Sequence, residues 1–165
     1  MRWTRLVTIL SVLFSVTLLA SGPAGADTSS VTAGQEIHSV LDGRCLDVYD
    51  SGRGPWVQVW PCNGQSNQLF QLGYYGGDVY EIRMGDTNWC VDGRWGKGAS
   101  LERVWCDGSA GQKWRVVPHG VYPGWAIYSV QYPHLVWDIS GFGSSSKLQL
   151  WEGNGGAHQA WVLPF

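Results

Sequence analysis

Asp47 precedes Gln58, Trp60, Asn67 and Gln68, and the same chemistry returns later in the chain as Asp138, Gln149, Trp151, His158 and Gln159. In both sets the tryptophan follows the aspartate by 13 residues. A carboxylate accepts two hydroxyl protons, amides both donate and accept, and an indole offers a flat apolar face. Groups of these kinds suit a small ring with vicinal hydroxyls on its edge and a patch of C–H on one side, which describes a monosaccharide. His158 stands where the first set has asparagine, and its imidazole can still donate to a hydroxyl from one nitrogen.

Such groups need a repeated frame to hold them, and the chain carries one. Gln68-Leu69-Phe70, Gln112-Lys113-Trp114 and Gln159-Ala160-Trp161 close three blocks that open on Cys45-Leu46-Asp47, Cys90-Val91-Asp92 and Val136-Trp137-Asp138. The aspartates lie 45 and 46 residues apart and the closing glutamines 44 and 47. A fixed period of this length marks one supersecondary unit stacked on copies of itself. The repeats run over about 34–77, 78–123 and 124–165, after a short polar leader over 27–33.

Within each block the apolar residues alternate with a period of two, the mark of half-buried strands. An opening strand carries Ile37, Ser39 and Leu41, which align with Ile82, Met84 and Asp86, and with Tyr128, Val130 and Tyr132. A later strand turns Val57 and Val59 inward and Trp56, Gln58 and Trp60 outward, and Leu148 and Leu150 lie opposite Lys147, Gln149 and Trp151 in the third block. Trp56 on this face extends the platform of Trp60 toward a second sugar unit. Phe70, Trp114 and Trp161 belong to the core, as does Trp137, which matches Leu46 and Val91. Gly/Asn/Ser-rich stretches such as Asn63-Gly64-Gln65-Ser66 supply the turns.

The middle block is depleted. Aligned on Cys106, its strand places Glu102 and Val104 at the glutamine and aromatic positions; aligned on the 13-residue interval from aspartate to tryptophan, it places Arg103 and Trp105 there. The interval favours the second register, with a one-residue deletion between Trp105 and Cys106. Gly111 replaces the asparagine in either case, so Asp92, Trp105 and Gln112 form a weak or degenerate site.

Cys45 and Cys62 occupy positions in block one that Cys90 and Cys106 occupy in block two, so the repeat selects those two disulfides from the possible pairings. Block three has Val136 and Gly153 at these places and leaves no odd thiol. Residues 1–26 read as a secretion signal: Arg2 and Arg5 lead an apolar run from Leu6 to Ala20 and a small-residue cleavage site at Ala24-Gly25-Ala26. The run is short for a membrane span and no second one follows, so the expected product is a secreted, extracellular protein.

Cys45-Leu46-Asp47-Val48, Gln58-Val59-Trp60-Pro61-Cys62 and Asn67-Gln68-Leu69-Phe70, written three times with changes, resemble the ricin B-type lectins across about 34–165. The resemblance implies an all-β fold, a β-trefoil in which three four-stranded repeats build a six-stranded barrel capped by three hairpins. It also implies a shallow carbohydrate-binding site on each repeat. There the aspartate holds sugar hydroxyls, the aromatic stacks, and the amides complete the network. Galactose-type sugars or a xylan-like polysaccharide are the ligands it suggests. A cell-binding subunit serving a separate toxin or enzyme chain, or a protein-binding trefoil of the protease-inhibitor type, is the alternative.

Other classes fit poorly. Glycoside hydrolysis needs two carboxylates about 5–10 Å apart, whereas the repeated aspartates fall one to a unit, and no nucleophile–base set accompanies them, so no enzyme is expected. Without the signal, 9 Lys+Arg face 13 Asp+Glu, a net charge of −4 that disfavours nucleic acid. His38, His119 and His134 show no metal-ligand spacing, and neither a metal nor another cofactor is expected.

Overall fold

The computed structural model describes residues 34–49 and 54–165; the expected signal over 1–26 and the leader over 27–33 lie outside the described residues. Among the described residues, twelve strands form three successive sets of four. The first is β1 (His38–Ser39), β2 (Cys45–Val48), β3 (Val57–Trp60) and β4 (Phe70–Gly76). The second is β5 (Val79–Met84), β6 (Trp89–Asp92), β7 (Glu102–Trp105) and β8 (Lys113–Pro118). The third is β9 (Trp125–Ser129), β10 (Leu135–Ile139), β11 (Leu148–Glu152) and β12 (Trp161–Val162).

The inner pair of each set makes an antiparallel hairpin: β2 with β3, β6 with β7, β10 with β11. The outer strands pair around a ring, β1–β12–β9–β8–β5–β4. Gln35 closes it against Phe70, with each backbone N–H donating to the other's carbonyl at 2.7 and 2.8 Å. Six strands therefore close a barrel and three hairpins flank it, which is the β-trefoil. Closure removes the barrel's open edges, so the backbone groups of the ring are satisfied without long strands.

The three-fold repeat is visible in the core. Ile37, Ile82 and Ile127 are each fully buried, as are Phe70, Trp114 and Trp161 at the starts of β4, β8 and β12. Trp137 lies between the last two tryptophans, edge-on to both at 5.2 and 5.8 Å. Each side chain of this size contributes roughly 1.5–3 kcal/mol or more through its removal from water. Room for Trp114 comes from Gly93, where a Cβ would lie 2.8 Å from the Trp114 ring and 2.9 Å from Leu150. The matching positions, Val48 and Ile139, carry large side chains and are buried.

One expected alignment is corrected. The inward residues of β9 are Ile127 and Ser129, while Tyr128 pairs with Val136 as His38 pairs with Cys45. Block three has one more residue between these partners, so counting back from Val136 slips the strand by one and turns every side chain to the wrong face. Both disulfides, Cys45–Cys62 and Cys90–Cys106, are formed. Each closes a loop worth about 3 kcal/mol in the chain-entropy picture.

Candidate functional site

The hairpin register decides which residues meet. Asp47 lies opposite Gln58 and Cys45 opposite Trp60. With Val57 and Val59 turned into the core, Gln58 and Trp60 must face outward beside Asp47. A 3₁₀ turn over Ser66–Gln68 brings Asn67 and Gln68 back onto the same carboxylate. Asp47 Oδ1 accepts from Gln58 Nε2 at 2.9 Å, and Oδ2 accepts from Asn67 Nδ2 and Gln68 Nε2, both at 2.9 Å. The carboxylate is only 3% exposed, while Trp60 is 51% exposed. The result is a fixed acceptor next to an open ring.

The third repeat rebuilds this geometry. Asp138 lies opposite Gln149 and Val136 opposite Trp151. Gln149 Nε2 donates to Asp138 Oδ1 at 2.9 Å, Gln159 Nε2 donates to Oδ2 at 2.8 Å, and His158 Nε2 stands 3.3 Å from Oδ2, where Asn67 is in the first repeat. Asp138, Gln149, Trp151 and His158, with Phe142 and Asn154, line a cup of about 320 Å³. Phe142 is 84% exposed at its rim, held by a backbone φ of 53°, and packs edge-on against His158 at 5.5 Å. Lys97, from the second repeat, places its ammonium 4.8 Å from the centre of the Trp151 ring and 2.7 Å from Glu152. That hydrogen bond holds the Glu152 carboxyl below its ordinary range.

Gln68 and Gln159 are enclosed by the protein. They are 0% and 1% exposed, and each carbonyl accepts a turn N–H, from Asn63 and Asn154, both at 2.8 Å. Each amide also donates to a backbone carbonyl, of Pro61 and Glu152. Of the residues expected at the carbohydrate sites of repeats one and three, these two are the most deeply buried, and they tie the closing turn to the aspartate. Gln112 makes the same turn contacts with Asp107 and Trp105.

The second repeat departs from the register that the 13-residue interval favours. Asp92 pairs with Glu102, Cys90 with Val104 and Trp89 with Trp105. Glu102 and Val104 therefore hold the glutamine and aromatic positions, and Trp105 stands off the site, edge-on to Trp89 at 5.5 Å. The missing residue lies in the loop between β6 and β7, since Asp92 precedes Glu102 by 10 residues where Asp47 precedes Gln58 by 11. Alternation misleads here because Arg103 takes the inward position of Val59, its guanidinium 5.1 Å from the Trp89 ring.

Arg94 occupies the space that an asparagine would fill. A Cβ on Gly111 would lie 3.2 Å from the Arg94 Cβ and 3.1 Å from Asp92 Oδ1. Arg94 Nε donates to Asp92 Oδ1 at 3.0 Å and Nη2 donates to Oδ2 at 2.5 Å. Hydrogen bonding to Asp92 pushes the guanidinium further toward its charged form. Both carboxylate oxygens are thus engaged from within.

A neighbouring repeat also reaches each site. Lys147 pairs through its backbone with Gln58, Trp56 with Glu102 and Ser100 with Gln149, so each hairpin is bridged at one equivalent position by a different residue of another repeat. Trp56 shares the outward face of Gln58 and Trp60, yet its cross-strand partner is Glu102 of the second repeat. Neither this exchange nor the contributions of Lys97 and Phe142 were found from sequence, because each comes from a loop or repeat outside the matching motif. An exposed aromatic between Gly141 and Gly143 was the one available signal.

Among the described residues, His38 and Glu36 gather near Cys45 and Cys62, and Glu81 near Cys90 and Cys106. The cysteines are oxidised to disulfides and offer no thiolate to an ion.

A profile of the ricin-type beta-trefoil lectin domain matches residues 33–161. No curated protein matches the chain in sequence. Among solved structures, the designed three-fold symmetric protein ThreeFoil superposes with a TM-score of 0.68 at 21% identity, covering 76% of this chain and 94% of that one. The C-half of an earthworm R-type lectin, solved with GalNAc, gives 0.59 at 21%, with 77% and 94% covered. An exo-β-1,3-galactanase from Clostridium thermocellum gives 0.68 at 22%, covering 79% of this chain but 29% of the enzyme. At these identities the likeness is one of fold.

Proposed function

This chain belongs to the ricin-type beta-trefoil lectin domain family, and from that premise we propose that it binds galactose-type sugars or a xylan-like polysaccharide through shallow sites on repeats one and three. The module is a carbohydrate-binding one and not a catalytic one. The observation that carries the finer reading is the Asp47 constellation: a carboxylate fixed by Gln58 and Asn67 beside the open face of Trp60. In use, the carboxylate accepts protons from two sugar hydroxyls, Gln58 and Asn67 supply the remaining polar contacts, and Trp60 covers the C–H face. Asp138, Gln149, His158 and Trp151 act in the same way.

Single open sites of this kind bind at about millimolar strength, roughly −4 kcal/mol. Two of them on one rigid barrel engage a polysaccharide together and raise avidity by about 10² or more. Galactose-type ligands are supported by the GalNAc and galactanase named in the two natural structures above. Secretion is part of the proposal, supported by the N-terminal sequence pattern and by two disulfides, which persist in oxidising compartments.

A glycan array on the mature protein, with Trp60→Ala, Trp151→Ala and the double variant, tests this reading. Each single variant should lose avidity for galactose- or xylose-bearing glycans and the double variant should lose it entirely. Undiminished binding by the double variant would refute it. A second reading, a targeting module for an attached or separate enzyme or toxin chain, is favoured by the galactanase, of which this fold makes up 29%. It predicts co-purification with such a chain from culture filtrate.

A further inference from the structure

We propose that Trp56, Trp95 and Glu102 form a separate binding site, at the border of repeats one and two, for a cationic amino sugar. The site occupies the position of the lost sugar site on repeat two but uses different atoms. It does not depend on the sites around Asp47 and Asp138.

The backbone fixes the first two members. Arg103 N donates to Pro55 O at 2.6 Å and Val57 N to Leu101 O at 2.9 Å, which makes Trp56 and Glu102 a non-hydrogen-bonded antiparallel pair. Side chains in such a pair lie on one face and at their closest approach. Asp92 lies opposite Glu102 on the other side, so Trp56, Glu102 and Asp92 form one row across three strands. The third member comes from the loop after β6: Trp95 Nε1 donates to Glu102 Oε2 at 3.1 Å. Both indoles are open to solvent, Trp56 at 44% and Trp95 at 66%.

The charges select the ligand. Arg94 neutralises Asp92 and reaches Asp107 as well, at 3.2 Å. Among the described residues no lysine or arginine forms an ion pair with Glu102, and its one side-chain donor is the neutral Trp95. Arg94 is committed to Asp92 and Asp107, so three carboxylates share one guanidinium and the charge of Glu102 is left for a cation from outside. Two exposed indoles beside a carboxylate suit a positive group that also presents a C–H face. A 2-amino-2-deoxyhexose unit has both: its ammonium donates to Glu102 while the ring lies against an indole. The N-acetylated sugar lacks the charge.

Titration calorimetry with a β-1,4-linked glucosamine tetramer and its fully N-acetylated counterpart, at about pH 6, where the amines are charged, tests the proposal. The protein is the mature chain carrying Trp60→Ala and Trp151→Ala, both at exposed positions, so that the other two sites are silent. This protein should bind the amino tetramer, and further addition of Glu102→Gln or Trp95→Ala should weaken binding by about tenfold or more. The acetylated tetramer should not bind it. Thermal unfolding confirms that each variant is folded, and Glu102→Gln preserves shape while removing charge. Loss of binding in the starting double variant, retention in Glu102→Gln, or equal binding of the acetylated tetramer would each overturn the proposal.

Discussion

Arg94 closes on Asp92 from the same strand end, two residues away, and its Nε and Nη2 lie 3.0 and 2.5 Å from the two carboxylate oxygens. In repeats one and three those oxygens take amide or imidazole groups from the closing turn and the partner strand. Repeat two has lost both sources, with Gly111 in the turn and Glu102 on the strand, and the arginine compensates. A buried carboxylate cannot be left bare, so the loss of a ligand site required a new internal partner.

Arg94→Ala should therefore lower stability by about 1–3 kcal/mol, measured by urea unfolding, since Asp92 would keep its burial without its cation. Gly111→Asn alone should also destabilise, because its side chain meets Arg94. Combined, the two should cost less than their sum, as the asparagine then enters the vacated space and donates to Asp92. Strict additivity would show that the two positions do not compete.

Trp60→Ala and Asp47→Ala should separate binding from folding. Trp60 is half exposed, so its removal should change stability by under about 0.5 kcal/mol while costing about tenfold in affinity at site one. Asp47 anchors three side-chain donors, so its removal should lower the melting temperature as well as abolish that site. Comparing calorimetric affinity with thermal unfolding for each variant checks the distinction.

Reduction of the disulfides should affect the sites unequally. Cys45 pairs with Trp60 across the first hairpin, whereas Val136 and Trp151 hold the third without a bridge. Dithiothreitol, or Cys45→Ala with Cys62→Ala, should cost roughly 2–4 kcal/mol of stability. It should weaken binding by Trp151→Ala, which retains site one, more than binding by Trp60→Ala, which retains site three.

Acid should remove a small stabilising contribution at the second repeat. Hydrogen bonding from Ser109, and then the Arg94 guanidinium, hold the Asp107 carboxyl below its ordinary range. A folded-state value lower than the unfolded one stabilises the protein above the ordinary carboxylate range, and the contribution fades as pH falls through the lowered value. Asp107→Asn should thus flatten the fall in stability below about pH 4, seen in denaturant titrations at stepped pH.

The clearest sequence signals were those that three copies repeat. Phe70, Trp114 and Trp161 are core because the closing motif returns them to one structural position, and both disulfides follow from equivalent cysteines. Asp47 and Asp138 meet the outward glutamines because alternation on β3 and β11 is clean. Where copies differ in length, spacing no longer predicts which way a side chain faces. One added residue in the turn before β10 reversed the reading of β9, and one missing residue before β7 exchanged Glu102 for Arg103. In both strands the physical reason is the same: a register change of one residue reverses the facing of every side chain.

By itself, then, the sequence determined the repeated unit, its all-β character, the bridged cysteines and the two complete sets of polar and aromatic groups. Periodicity and local spacing are properties of one chain segment, and they survive without knowledge of its neighbours. Only the tertiary structure decided which glutamines are buried supports, that Arg94 fills the second site, and that Lys147, Trp56 and Ser100 pair with hairpins of other repeats. Those relations cross repeat boundaries and arise when the barrel closes, so no spacing within a repeat encodes them.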